Sequence, residues 1–135
     1  MTKKRTHLVA VYGSLLKGLG NHSYYLDEAE YKGEFDSEPI YNLYDIGQFP
    51  GLTKPGYTSV RMEVYEVTDK ELKQIDILEG FTLNNTHNNH YNRTTIKTPY
   101  GDAYTYLYNH HVSDKTQVSS GDWRDYYNTK NIAYV

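Results

Sequence analysis

Apolar residues in this chain fall into short runs, and the spacing within the runs changes part-way along. Residues 7–12, His-Leu-Val-Ala-Val-Tyr, form a run that stops at Gly13, which predicts a buried strand entering a tight turn. From 16 to 28 the glycines Gly18 and Gly20 and a polar stretch leave room for one or two helical turns. Tyr31, Phe35, Ile40, Leu43, Tyr44 and Ile46, interrupted by Pro39, predict two strands over 31–46. The segments Gln48–Leu52 and Lys54–Gly56 carry Pro-Gly pairs and read as turns. Residues 58–67 show the cleanest alternation, with Val60, Met62 and Val64 at every second position, and predict a strand.

The period then lengthens. Thr68 and Glu71 have the spacing of a capping box, in which each residue satisfies a free backbone N–H of the other. Leu72, Ile75 and Glu79 follow at steps of three and four, so one helical face carries all three. Gly80 is the expected helix stop. Residues 82–90, rich in Asn and His, read as a loop. Tyr91–Thr98 and Ala103–Tyr108 predict a hairpin turning at Pro99-Tyr100-Gly101-Asp102, and Trp123 is expected to dock a short terminal helix. About six strands and two short helices imply a single α+β domain spanning 1–135.

Composition narrows the function. At this length a chain buries roughly two-thirds of its unfolded surface, enough for a core. The net charge is −3, and the only basic cluster, Lys3-Lys4-Arg5, reads as a solvated end, so nothing here has the electrostatic footprint of a nucleic-acid binder. The absence of cysteine excludes disulfides, thiolate nucleophiles and zinc-thiolate sites. No apolar stretch nears the roughly 20 residues of a membrane span, and no apolar segment follows the basic start to make a secretion signal. A cytoplasmic protein is expected. Tyrosine is over-represented, 16 against three phenylalanines, which suits a strand-rich domain with half-buried positions and also a pocket lined by phenols.

Glu79 is the foremost chemical candidate. A glutamate on an apolar helix face either turns to solvent or is functional. Near a helix C-terminus it meets the negative end of the macrodipole. That placement and burial both raise a carboxyl above its reference of about 4.3, which suits a group that accepts and returns a proton near neutrality. Tyr12-Gly13-Ser14-Leu15 is either an ordinary turn or a nest of converging N–H groups that holds an anion. Asp76 either joins Glu79 as a second carboxylate or hydrogen-bonds nearby backbone. His87 and His90 sit in a loop with no completing carboxylate, so no metal is expected. Ser14 lacks the partners of a nucleophile.

In order along the chain, these segments resemble the gamma-glutamylcyclotransferase-like family, which includes gamma-glutamylamine cyclotransferases. Val11-Tyr12-Gly13-Ser14-Leu15 resembles the family's opening loop, and Phe49-Pro50-Gly51-Leu52 its Pro-Gly turn. Val64-Tyr65-Glu66-Val67, followed by Ile75-Asp76-Ile77-Leu78-Glu79-Gly80-Phe81, resembles its strand and acidic helix end. Tyr91-Asn92-Arg93, Ala103-Tyr104-Thr105-Tyr106 and Gly121-Asp122-Trp123 complete the set. The resemblance implies a small mixed β-barrel with flanking helices. It implies Glu79 as catalytic acid–base and the Gly13, Ser14 and Leu15 amides as the substrate carboxylate site. Tyr12 and Tyr106 are expected to complete the substrate-binding set and to face a cavity, with Tyr126 and Tyr127 outside it; Arg93 is read as structural.

The implied reaction converts a gamma-glutamyl amide to 5-oxoproline and a free amine without metal or cofactor. The implied partner is that small molecule, with no nucleic acid and no membrane, for a monomer or homodimer. The amine is not named by any of these residues. A non-catalytic small-ligand binding module on the same fold is the alternative, and a single-strand nucleic-acid binder using tyrosine stacking is a third reading that the acidic balance opposes.

Overall fold

The computed structural model describes residues 5–132. Lys3 and Lys4 of the basic run lie outside these residues; Arg5 is exposed. The strands are β1 (Thr6–Val11), β2 (Glu30–Asp36), β3 (Tyr41–Asp45), β4 (Pro50–Thr58), β5 (Arg61–Thr68), β6 (Tyr91–Thr98), β7 (Gly101–Tyr108) and β8 (Thr116–Gln117). The helices are α1 (His22–Tyr25), α2 (Asp69–Leu78) and α3 (Trp123–Ile132). A five-stranded sheet has the order β2-β5-β1-β7-β6, and a three-stranded sheet the order β4-β3-β8. β1 lies at the centre of the larger sheet, antiparallel to β5 and parallel to β7. The fold is thus mixed α+β, but the expected barrel does not close: β4 packs on β7 without ladder pairing, and the two sheets remain separate.

Two strands beyond the expected six come from segments that local signals disguise. Pro50–Thr58 reads as two turns, yet pairs with β3 from Asp45↔Pro50 to Tyr41↔Thr58. The register shifts between Tyr41 and Asn42, so residues 54–57, which include Pro55 and Gly56, bulge out of the ladder. β4 is an edge strand, and edges and bulges are where Pro and Gly are tolerated. β8, two residues long, is too short to carry a period.

The helix preceding Glu79 follows its sequence signals closely. Thr68 Oγ1 accepts from the Glu71 N–H at 3.2 Å, and Glu71 Oε1 accepts from the Thr68 N–H at 2.8 Å, closing the capping box. At the other end Gly80 has φ +66°, the Gly80 N–H donates to Ile77 O at 3.1 Å and the Phe81 N–H to Asp76 O at 2.9 Å. This is a Schellman stop, and a left-handed residue there is best a glycine. It makes Glu79 the C-cap. Leu72 and Ile75 are buried in the core, which joins Val9, Leu43, Leu52, Met62 and Val64 between the sheets. Each such side chain contributes about 1.5–3 kcal/mol relative to leaving it in water. Among the described residues no helix is long and apolar enough to cross a membrane.

Candidate active site

A cleft of about 620 Å³ opens where the loop after β1, the start of β4, the end of α2 and the start of α3 meet. Tyr12, Gly13, Ser14, Leu15, Glu79 and Tyr106 all line it. The loop turns sharply because Leu16 N–H donates to Gly13 O at 2.9 Å. Asn21 N–H then donates to Ser14 O at 3.0 Å, and His22 Nδ1 is 2.9 Å from Leu15 O. The three loop carbonyls are therefore occupied. The amides of Gly13, Ser14 and Leu15 lie past the last β1–β5 pair and take no part in the turn bonds. N–H groups left over in a tight turn are the raw material of an anion nest. Gly13 does not have a positive φ. It is required by close approach: a Cβ there would lie 2.6 Å from Pro50 Cγ and 2.7 Å from Pro50 Cδ.

Glu79 is half-buried and lines the cleft. Burial, followed by the nearby negative charge of Asp76, pushes it up to about 7. Its place as C-cap, at the negative end of α2, acts in the same direction. Tyr91 N–H donates to Glu79 O at 3.2 Å and fixes the backbone there. The Asp76 carboxylate, one turn earlier, is engaged by other side chains rather than by backbone. It accepts from Arg93 Nη1 and from the Tyr106 hydroxyl, both at 2.6 Å. Burial still outweighs these partners and leaves the Asp76 carboxyl raised. Arg93 is itself held between the rings of Phe81 and Tyr104, 5.0 and 4.3 Å from their centroids. Arg93, read from the sequence as structural, thus contacts the acid beside Glu79.

Tyr12 and Tyr106 face the cleft as expected, yet both hydroxyls are committed within the protein. Tyr12 donates to Tyr106 O at 2.6 Å and Tyr106 to Asp76. They shape the wall. Tyr126 stays out of the cleft, its hydroxyl donating to Asp45 at 2.6 Å. Tyr127, expected outside, instead lines the cleft together with Trp123. The i, i+4 spacing of Trp123 and Tyr127 puts them on one face of α3, which is the signal that points to this pair.

A second acidic residue escapes the alternation reading. Glu63 occupies a non-core position in the Val60-Met62-Val64 pattern, yet is 5% exposed. β5 sits inside the sheet, and the loop after β1 covers its other face. Glu63 accepts from Lys17 N–H at 2.9 Å, from the Tyr65 hydroxyl at 2.9 Å and from Arg124 Nη2 at 2.7 Å. Burial alone would raise this carboxyl, but the donors win and hold it below its ordinary value. Arg124 Nη2 also donates to Lys17 O at 2.7 Å. Glu63 and Arg124 thus hold the far end of the Gly13–Lys17 loop from behind.

The Asn-rich loop is likewise tied down by its own side chains. Asn89, 3% exposed, accepts from Thr82 N–H at 3.2 Å and donates to Thr82 O at 2.8 Å. Asn109 Nδ2 reaches Thr86 O and Asn89 O, each at 2.9 Å. This lashing sets His90 into the cleft wall, where its ring meets Phe49 edge-on at 5.8 Å and Tyr91 at 4.9 Å.

Residues 9–125 match the family described as gamma-glutamyl cyclotransferase, AIG2-like. A Vibrio cholerae protein provisionally named a gamma-glutamylcyclotransferase is 43% identical over 117 residues, covering 87% of this chain and 95% of that protein. The gamma-glutamylcyclotransferase family protein YtfP of Escherichia coli K12 is 37% identical, over 87% of this chain and 96% of its own length. The solution structure of Escherichia coli ytfP superposes with a TM-score of 0.69 at 36% identity, covering 88% of this chain and 97% of that one. The crystal structure of PH0828 from Pyrococcus horikoshii superposes with a TM-score of 0.75 at 26% identity, covering 93% and 96%.

Proposed function

The chain belongs to the gamma-glutamyl cyclotransferase, AIG2-like family, and on that premise we propose that it cyclises the glutamyl group of a gamma-glutamyl amide to 5-oxoproline and releases the amine. One observation carries the reading: Glu79 shares a cleft with the Gly13–Leu15 amides while its carboxyl is pushed up to about 7. The three amides hold the substrate α-carboxylate. The substrate's α-ammonium, with a reference of about 8, then lies beside Glu79.

Glu79 takes one proton from that ammonium. The freed nitrogen lone pair attacks the γ-carbonyl carbon and closes the five-membered ring. The bond from that carbon to the departing nitrogen breaks as Glu79 hands its proton to that nitrogen. The remaining extra proton of the ring nitrogen leaves through the same carboxylate and ends on the released amine. Glu79 finishes as it began. Holding a bent substrate supplies much of the rate, since oriented internal attack reaches effective molarities of about 10⁵–10⁸ M.

The test is incubation with a panel of gamma-glutamyl amides and detection of 5-oxoproline by mass spectrometry. Release from one or more amides is expected. Binding of these amides with no 5-oxoproline from any would favour the non-catalytic binding module.

A further inference from the structure

The cleft is larger than a glutamyl group requires, and its volume falls within the roughly 300–1,000 Å³ of pockets that enclose drug-sized ligands. What surrounds the spare space is aromatic. On one side Phe49, His90 and Tyr91 form a wall backed by Tyr108, whose ring lies 5.5 Å from His90. A second aromatic group, Trp123 and Tyr127, also lines the cleft with Leu19, and Asn21 and Gln48 add uncharged polar groups. Among the described lining residues Glu79 is the single carboxylate, and no Lys or Arg is present. Three cations outside the lining already have acids: Arg93 holds Asp76, Arg124 holds Glu63, and Lys130 holds Asp45. His90 is kept toward its neutral form by burial and by His110.

A carboxylate on the departing group would therefore lose water wherever these walls cover it, with no cation to meet it. An ammonium there would meet only Glu79, which must stay available for proton transfer. Cation–π attraction to these rings does not offset the cost of burying an unpaired ammonium. Because both walls lack charge, the conclusion does not depend on which of them the amine faces.

We propose that the group carried on the departing nitrogen is uncharged and aromatic or bulky apolar. This rests on the cyclotransferase reading above. The lashing of the 82–90 loop by Asn89 and Asn109 makes the His90 wall preformed, which lowers the ordering cost of receiving such a group.

A matched series isolates charge from size: gamma-glutamyl-benzylamide, its 4-aminomethyl and 4-carboxy derivatives, and gamma-glutamyl-methylamide. The benzylamide is expected to exceed each of the other three in kcat/KM for 5-oxoproline release by roughly tenfold or more. In the Phe49→Lys protein the 4-carboxy derivative should gain on the benzylamide; Phe49 is 37% exposed, so the fold tolerates the change. Charged derivatives or the methylamide matching the benzylamide would overturn the proposal. Should none of the four be cyclised, their binding to the Glu79→Gln protein by calorimetry separates the two ideas. The same order of affinity would uphold the apolar amine site and sink the cyclotransferase reading alone. Equal affinities, or no binding of the benzylamide, would sink the amine site as well.

Discussion

Glu63 and Glu79 are both withdrawn from water on opposite sides of one loop, and their surroundings make them opposites. Behind the loop, Glu63 accepts from Lys17, Tyr65 and Arg124, and its carboxyl is held below the ordinary value. In front, Glu79 has the cleft before it and Asp76 beside it, and its carboxyl is pushed up to about 7. The residue type is the same, and the partners decide whether the carboxyl is held below its ordinary value or pushed toward neutrality. The two acids meet through that loop, because Glu63 and Arg124 fix its far end at Lys17 while its near end, Gly13–Leu15, lines the cleft with Glu79.

The sharpest way to break this contrast is Glu79→Gln, which keeps the shape but cannot take a proton. Turnover measured by 5-oxoproline release should fall about 10²–10⁴-fold, with substrate affinity retained. Stability should move the other way. The folded carboxyl titrates near 7 and the unfolded one near about 4.3, so ionised Glu79 costs stability progressively across that window. Melting curves at pH 8 should show the Gln protein more stable, by about 2 kcal/mol after allowing for the open cleft. At pH 4 the two proteins should melt alike.

Glu63→Gln should show the reverse balance. It leaves the Arg124 guanidinium without its counter-charge, and because Arg124 is one-third exposed the cost is about 1–3 kcal/mol rather than that of a fully buried pair. Urea unfolding at pH 7 reads this loss. The wild-type contribution of Glu63 is present above its unfolded value of about 4.3 and disappears as pH falls through the lower folded value. The gap between the two proteins should therefore shrink in acid, as at Glu79, but with the opposite sign: here the wild-type protein is the more stable one at neutral pH.

Gly13→Val tests the loop between them. Its side chain would meet Pro50, and overpacking costs about 1–3 kcal/mol. The circular dichroism spectrum should persist while calorimetric affinity for a gamma-glutamyl amide is lost. The smallest effect is expected from Asp76→Asn. Removing that negative charge lets Glu79 ionise more easily, so the acid side of the kcat/KM profile should move to lower pH by less than about one unit. A shift to higher pH would show that Asp76 does not set the Glu79 environment.

The front of the loop is far more legible in the amino-acid sequence than the back. Thr68, Glu71, Leu72, Ile75 and Gly80 obey local rules of capping and helical spacing, so the position of Glu79 follows from its neighbours in the chain. The strand into Gly13 is equally local. Glu63 is not legible, because its burial comes from Lys17, 46 residues earlier, and Arg124, 61 residues later. The Asp76–Arg93 pair and the β4 strand depend in the same way on contacts distant in sequence. The open gap between the sheets has no local signature at all, since closure is decided by how β4 meets β7.

The central claim is that Glu79 carries protons near neutral pH because no cation or donor among the described residues claims its carboxylate. The most direct measurement is the pH dependence of kcat/KM for 5-oxoproline release from gamma-glutamyl-benzylamide, in the wild-type and Glu79→Gln proteins. The base must be ionised to accept the ammonium proton, so wild-type activity should rise with pH through an inflection near 7. The small residual activity of Glu79→Gln should lack that inflection. A wild-type profile that is flat through this range, or an inflection that survives in Glu79→Gln, would contradict the claim.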